Sequence, residues 1–183
     1  MPLAASRGLV ASLAALFLLA SCAPPEPAWQ PSPPPPTPSQ TLTLFLAGDV
    51  MTGRGIDQVL PHPSDPILHE SYMKDARGYV ALAERAHGPI PKPVDFSYIW
   101  GDALEVWAQR APDVKIVNLE TSITKRWDYW KGKGIHYRMH PDNVPCLTAA
   151  GIDCCVLANN HVLDWGYAGL EETWETLRQA GNQ

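Results

Sequence analysis

The run Leu157-Ala158-Asn159-Asn160-His161-Val162-Leu163-Asp164 sets two amides, an imidazole and a carboxylate on one turn, where an apolar stretch stops and a helix begins. Two earlier segments share the layout: Leu42 to Ala47 runs into Gly48-Asp49-Val50-Met51, and Val114 to Val117 runs into Asn118-Leu119-Glu120. Asp49 and Glu120 offer anionic oxygens, Asn160 a neutral amide oxygen and His161 an imidazole nitrogen. Such mixed donors suit Mn²⁺, Fe²⁺ or Zn²⁺ and also accommodate Mg²⁺. A pair of such ions can activate water and neutralise charge on a phosphoryl oxygen. Arg54, near a helix start just beyond the first loop, is placed to pair with the same anion, and Asn118 and Asn159 are further candidates for anion or substrate contact. Asp164 reads as a helix cap or as a partner that orients His161, not as a metal ligand. Singly, a Gly-Asp pair or an Asn-Leu-Glu triplet is ordinary turn chemistry. Only the coincidence of three such loops marks a site.

These loops need strands behind them. Leu42, Leu44 and Leu46 with Phe45 and Ala47 predict a short central strand covered on both faces. Helices are predicted near 68–87 and 98–110, separated by prolines at 89, 91 and 93. A strand over 114–117, a short strand over 135–139, a helix over 142–150 and a buried strand over 152–158 follow. In the last helix Leu170, Trp174 and Leu177 share a face, Glu171, Glu172 and Glu175 lie toward the positive amino end, and Gly181 can cap it. The alternation predicts an α/β fold with a largely parallel sheet, in which ligands sit at the carboxyl ends of strands. All three polar loops fall there.

Residues 1–22 read as an export signal: Arg7 follows the amino terminus, and Leu9 to Ala20 is almost wholly apolar yet too short to span a bilayer comfortably. The segment closes in Leu19-Ala20-Ser21-Cys22, which resembles the bacterial lipoprotein cleavage box. Cys22 is therefore expected to carry lipid and anchor the protein in the cell envelope, on the outer side of the cytoplasmic membrane or on the outer membrane. Residues 23–40, dense in proline with Ser, Thr and Gln, predict an extended tether. Residues 41–183 remain for one modest domain with a real core. A formal net charge of −5 gives no case for a nucleic-acid partner.

Beyond Cys22 the cysteines are Cys146, Cys154 and Cys155, with no zinc spacing among them, and buried unpaired thiols are expected. His62, His69, His87, His136 and His140 lack the strand-end context and read as surface or loop residues. The loop from Lys125 to Gly134 interleaves Lys125, Arg126, Lys131 and Lys133 with Trp127, Tyr129 and Trp130. It suits an anionic polymer, a sugar chain or lipid headgroups, and equally a solvated loop whose rings pack back on the core.

Together, Gly48-Asp49-Val50-Met51-Thr52-Gly53-Arg54, Val117-Asn118-Leu119-Glu120-Thr121 and Ala158-Asn159-Asn160-His161-Val162-Leu163-Asp164-Trp165-Gly166 resemble the CapA-type family of poly-γ-glutamate capsule synthesis proteins. The resemblance spans roughly residues 42–181. It implies a calcineurin-like metallophosphoesterase sandwich, with Asp49, Glu120 and Asn160 as metal ligands and His161 as a phosphate contact or general acid. It also implies an anionic capsule polymer and the capsule synthesis machinery as partners. Met51 stands where classical metallophosphoesterases carry a histidine, and a thioether is a poor ligand for hard cations. The family pattern continues with further strands and a histidine-rich motif, whereas this sequence stops at Gln183, so the resemblance implies an incomplete sandwich and part of a metal centre. Three readings follow: a metal-dependent hydrolase or transferase, a non-catalytic module that binds or assembles polyanion, and an inactive fragment of a longer protein.

Overall fold

The computed structural model describes residues 41–182; the expected export signal, the Cys22 anchor and the proline-rich tether lie outside them. Among the described residues no helix is long and apolar enough to cross a membrane. The chain forms β1 (Leu44–Val50), α1 (Gly55–Val59), α2 (Arg77–His87), α3 (Ala103–Arg110), β2 (Val114–Leu119), β3 (Ser122–Ile123), β4 (Arg138–Met139), α4 (Pro145–Ala149), β5 (Cys154–Val156) and α5 (Gly166–Gln179). Strands β1, β2 and β5 make a parallel three-stranded sheet in the order β1-β2-β5, and β3 pairs in parallel with β4 in a second, two-stranded sheet. The architecture is α/β with parallel strands and helical connections, as the alternation of periods predicts.

Strand alternation sorts the larger sheet into two unlike faces. Phe45, Ala47, Val117 and Cys155 point into the core, where Phe45 meets Trp107 of α3 edge-on at 5.0 Å. Leu46, Ile116 and Cys154 lie in register on the opposite face, and Leu46 is 66% exposed. The expectation of a doubly covered central strand over 42–47 is thus corrected. Within the described sheet β2 is central and β1 is an edge, its leucines open to solvent.

Other elements are shorter than their apolar patterns suggest. Residues 60–76 are mostly irregular, punctuated by Pro61, Pro63 and Pro66 and pinned by an antiparallel bridge between Ile67 and Asp75, so the helix expected from 68 begins at Arg77. The helix expected over 98–110 is interrupted at Gly101, whose φ of +49° separates a single 3₁₀ turn at Tyr98–Trp100 from α3. The expected strand over 135–139 is only the two-residue β4, and that over 152–158 only β5. A 3₁₀ turn, Pro141–Asn143, precedes α4 where one helix was expected.

Helix α5 buries a different face from the one its large side chains suggest. Gly169, Thr173 and Leu177 are buried, whereas Trp174 is 60% exposed with Arg178 over its ring. Thr173 turns inward because its hydroxyl accepts the Ile123 N–H at 2.9 Å, tying the helix to β3. Gly169 allows the helix start to fold close, since a Cβ there would lie 2.6 Å from Trp165 Cβ. Gly181, with φ +86°, follows the helix end as expected. Cys146 and Cys155 are buried free thiols and Cys154 is partly buried.

Candidate active site

The three polar loops meet through their side chains. β1 and β2 stand in parallel register, with Asp49 beside Asn118, and the Asn118 amide donates to Asp49 Oδ1 at 2.5 Å. Asn118 Oδ1 accepts from Asn159 Nδ2 at 3.0 Å, and the same Asn159 amide reaches Leu119 O at 3.0 Å. Asn159 Oδ1 in turn accepts the backbone N–H of His161 at 2.9 Å. An amide both donates and accepts, so asparagines can pass a hydrogen-bond chain from one strand end to the next, which a carboxylate in their place could not. Asp49, Asn118, Asn159 and His161 are thereby one connected row across the carboxyl ends of the sheet. Asn118 and Asn159, expected at the anion, are the links of this row.

His161 is held at one ring nitrogen and presents the other to a carboxylate. Its Nδ1 lies 2.7 Å from Oδ2 of Asp164, a carboxylate with no solvent exposure, and its Nε2 faces Glu120 Oε1 at 3.5 Å. Asp164 also accepts the Tyr137 N–H at 2.7 Å and the Lys133 ammonium, so it acts as an acceptor on every side and His161 Nδ1 carries the proton toward it. The Lys133 ammonium donates to the Asn160 carbonyl as well, fixing the turn. Asp164 therefore orients His161, as its place on the turn suggested, and it does not cap α5, whose amino end has no side-chain cap.

Arg54 follows β1 in a left-handed backbone conformation, φ 51°, that turns its side chain inward. Its Nε meets Glu70 Oε1 at 2.6 Å, and its guanidinium lies between the rings of Tyr79 and Tyr137, 4.8 Å from each centroid. Burial works against the Arg54 charge, but Glu70 and the two rings outweigh it and hold the group above its ordinary value. Glu70, itself wholly buried, also accepts the Tyr79 hydroxyl at 2.6 Å. Arg54 thus has an internal partner, and its Nη2 is buried without a hydrogen bond among the described residues.

Tyr137 also stacks on His161, with ring centroids 4.1 Å apart and planes 24° apart. Glu70, Lys133 and Tyr137 carry no strand-end signal in the sequence; Lys133, read there as a polymer-facing cation of the aromatic loop, instead binds Asp164. A buried Asp57 is a further omission: its carboxylate accepts Ser64 N, His140 N and Asn143 Nδ2, pinning α1 to the start of the 3₁₀ turn. The acidic residue in a first helical turn was visible, but nothing local shows that two of its partners come from 83 and 86 residues away.

Among the described residues no three His, Cys, Asp or Glu side chains converge as a metal ion requires. A cation here would draw on the Asp49 and Glu120 carboxylates, which end adjacent strands, and on the exposed amide of Asn160. Those oxygens fit a hard or borderline divalent ion in type. Asp49 retains Oδ2, and the Asn160 amide engages no side chain or backbone group among the described hydrogen bonds.

The histidine expectations hold only in part. His62 and His87 are exposed, but His136 is buried, with Nε2 on Trp130 O at 2.7 Å and Tyr129, His69 and Trp165 around it. Its neighbours are aromatic because the cationic loop folds back: Tyr129 stacks on His69 at 3.6 Å. Trp127 remains 64% exposed with Arg138 behind its ring, and Trp130 is also exposed. Tyr129 thus packs back on the domain, while Trp127 and Trp130 stay open to solvent.

An α/β domain with a polar row at the carboxyl ends of parallel strands defines the class. The chain belongs to the bacterial capsule synthesis protein family PGA_cap, whose model matches residues 43–183. It is 56% identical over 142 residues to a "Probable polyglutamine synthesis accessory protein" of Mycobacterium tuberculosis, in both strain CDC 1551 / Oshkosh and strain H37Rv, covering 78% of this chain and 37% of the relative. An uncharacterized protein of Sinorhizobium fredii is 38% identical over 80 residues, 39% of this chain and 17% of its own length. The chain spans little more than a third of the length of the Mycobacterium relatives.

Proposed function

We propose that this chain belongs to an envelope-anchored protein that serves the synthesis of an anionic capsule polymer of the poly-γ-glutamate type, and that its strand ends form part of a metal-assisted hydrolase or transferase centre. The observation that carries the reading is His161, oriented by buried Asp164 and presenting Nε2 toward Glu120 at the mouth of a parallel sheet. Asp49, Glu120 and Asn160 would hold the divalent cation, Mn²⁺, Fe²⁺, Zn²⁺ or Mg²⁺. Such an ion supplies Lewis-acid polarisation of the bond to be broken and of the attacking water. His161 Nε2 moves a proton at the reacting atom, while Asp164 keeps its Nδ1 protonated. Asn118 and Asn159 fix the spacing of Asp49 and His161, and Arg54, ion-paired with Glu70, backs the Tyr137 ring that lies on His161. The lipid anchor on Cys22 would keep this centre beside the membrane where polymer is assembled.

Titration calorimetry of the full-length protein with Mn²⁺ tests the reading. Saturable binding that is lost in Asp49→Asn and in Glu120→Gln is expected, and absence of binding in the wild-type protein overturns the metal centre. Fractionation of Cys22→Ala should show release from membranes; persistent membrane association removes the anchor.

The exposed Trp127 and Trp130 beside Lys131 support a second reading, in which the domain grips polymer without turning it over. Binding of poly-γ-glutamate that persists in His161→Ala, together with no turnover by the wild type, would favour it.

A further inference from the structure

Tyr137 touches the candidate dyad in two independent ways. Its ring lies on the His161 imidazole, centroids 4.1 Å apart at 24°, and its backbone N–H donates at 2.7 Å to the same Asp164 Oδ2 that receives His161 Nδ1 at 2.7 Å. The same ring lies 4.8 Å from the Arg54 guanidinium, which is equally close to the Tyr79 ring and is pinned by Glu70 at Nε. Tyr79, Arg54, Tyr137 and His161 are therefore linked through successive ring contacts that end on the imidazole. Burial raises the Tyr137 phenol above its ordinary value although Arg54 opposes the shift, so the ring stays neutral in ordinary conditions.

We propose that Tyr137 is the positioning residue of His161, its ring fixing the plane of the imidazole and its main chain fixing the carboxylate that selects the tautomer. This rests on the reading of His161 as the proton carrier, and it assigns the residue that makes that role possible. A His on a loop has two free side-chain torsions. The Asp164 bond alone restrains Nδ1 but leaves the ring able to swing about it. A stacked face removes that swing, so Nε2 stays directed at Glu120. The hydroxyl has no part in the stack, so phenylalanine should serve equally; an aliphatic side chain offers no planar face.

The test is made on the full-length protein without added metal, by long-range ¹H–¹⁵N spectra and ring-proton NOEs of His161 in the wild type, Tyr137→Phe, Tyr137→Leu and Tyr137→Met. The wild type and Tyr137→Phe should show one tautomer, protonated at Nδ1, and one ring orientation. Tyr137→Leu and Tyr137→Met should keep that tautomer, because the N–H of residue 137 still fixes Asp164, but lose the single orientation and show averaged ring NOEs, while their amide spectra remain dispersed. A single, wild-type ring orientation in folded Tyr137→Leu or Tyr137→Met overturns the proposal. Failure of both to fold while Tyr137→Phe folds also overturns it, in favour of a packing role. Because the readout needs no cation, it separates from the calorimetry. An averaged orientation with no Mn²⁺ binding keeps the positioning role and removes the metal centre, whereas Mn²⁺ binding with an unchanged orientation does the reverse.

Discussion

Asn118 donates its side-chain amide to Asp49 across the β1–β2 register at 2.5 Å, and this bond sets the orientation of the first candidate ligand. Replacing the amide by its isosteric acid places two carboxylates where a donor and an acceptor had met. Asn118→Asp should therefore destabilise the domain at neutral pH by about 1–2 kcal/mol, the lost hydrogen bond plus like-charge repulsion. Acid should relieve it, because one proton shared by two abutting carboxyls restores a donor. Urea midpoints of variant and wild type that converge as pH is lowered would bear this out; a gap independent of pH would refute it.

The polar strand ends were legible because a loop that follows an apolar run and carries Asp, Asn, Glu or His has few other reasons to do so. The alternation that predicts an α/β fold likewise survived. The status of β1 did not: Leu42, Leu44 and Leu46 look the same in sequence whether a layer covers them or not, since apolar content reports a face suited to burial and not the partner that buries it. Trp174 misled for the same reason, its bulk suggesting the core while Thr173 took the inward place through a hydrogen bond. Tyr137, Lys133 and Glu70 were illegible because their roles depend on contacts with His161, Asp164 and Arg54, set by how two loops fold back.

The buried Glu70 carboxylate and Arg54 guanidinium pair at 2.6 Å. Removing one partner strands the other's charge. Glu70→Gln should cost about 3 kcal/mol, near the lower end for a broken buried pair because Arg54 keeps some contact with solvent and two aromatic faces. The double variant Glu70→Gln with Arg54→Met should recover part of the loss. Chemical denaturation of the four proteins as a double-mutant cycle measures the coupling, and simple additivity would show that the pair is not the cause.

Stability should be flat between about pH 6.5 and 9, and fall on both sides. Burial lowers His69 and His140 from 6.5, so the folded state resists protonation. Their contribution is present above 6.5 and is lost as pH falls through their folded values. Burial pushes Cys146 and Cys155 from 9.0 up to about 12, so the folded state resists ionisation of these thiols. Their contribution is present below 9.0 and is lost as pH rises toward about 12. Urea unfolding across this range should show both limbs, and Cys146→Ala with Cys155→Val should flatten the alkaline one. An alkaline limb of unchanged slope in that variant would assign it to other groups.

The open face of the larger sheet carries Leu44 and Leu46 beside Ile116. Parallel strands ordinarily have both faces covered, and a contiguous apolar surface promotes association. This chain should bind 1-anilinonaphthalene-8-sulfonate and self-associate as concentration rises. Leu46→Lys should reduce both with little change in unfolding midpoint, because that side chain already meets solvent. Light scattering indistinguishable between Leu46→Lys and wild type would place the sticky surface elsewhere.

Lys131 and Lys133 sit two residues apart in the aromatic loop and should behave oppositely when neutralised. Lys133 binds Asp164 and the Asn160 carbonyl, so its charge belongs to the His161 turn. Lys131 is exposed and has no ion pair among the described residues, whereas Lys125 faces Asp142 at 3.8 Å and Arg126 faces Glu172 at 3.6 Å. Much of the loop's formal positive charge is thus answered locally, and Lys131 beside exposed Trp127 and Trp130 is the cation left to meet a polymer. Lys133→Met should lower stability by about 2 kcal/mol, since buried Asp164 loses a charge partner but keeps His161 and the Tyr137 N–H. Lys131→Met should change stability by no more than about 0.5 kcal/mol, yet weaken binding of poly-γ-glutamate at low salt, with the difference fading as salt screens it. Equal polymer affinity for Lys131→Met and wild type at low salt would confine the loop to a structural role, with Trp127 serving only to cover Arg138.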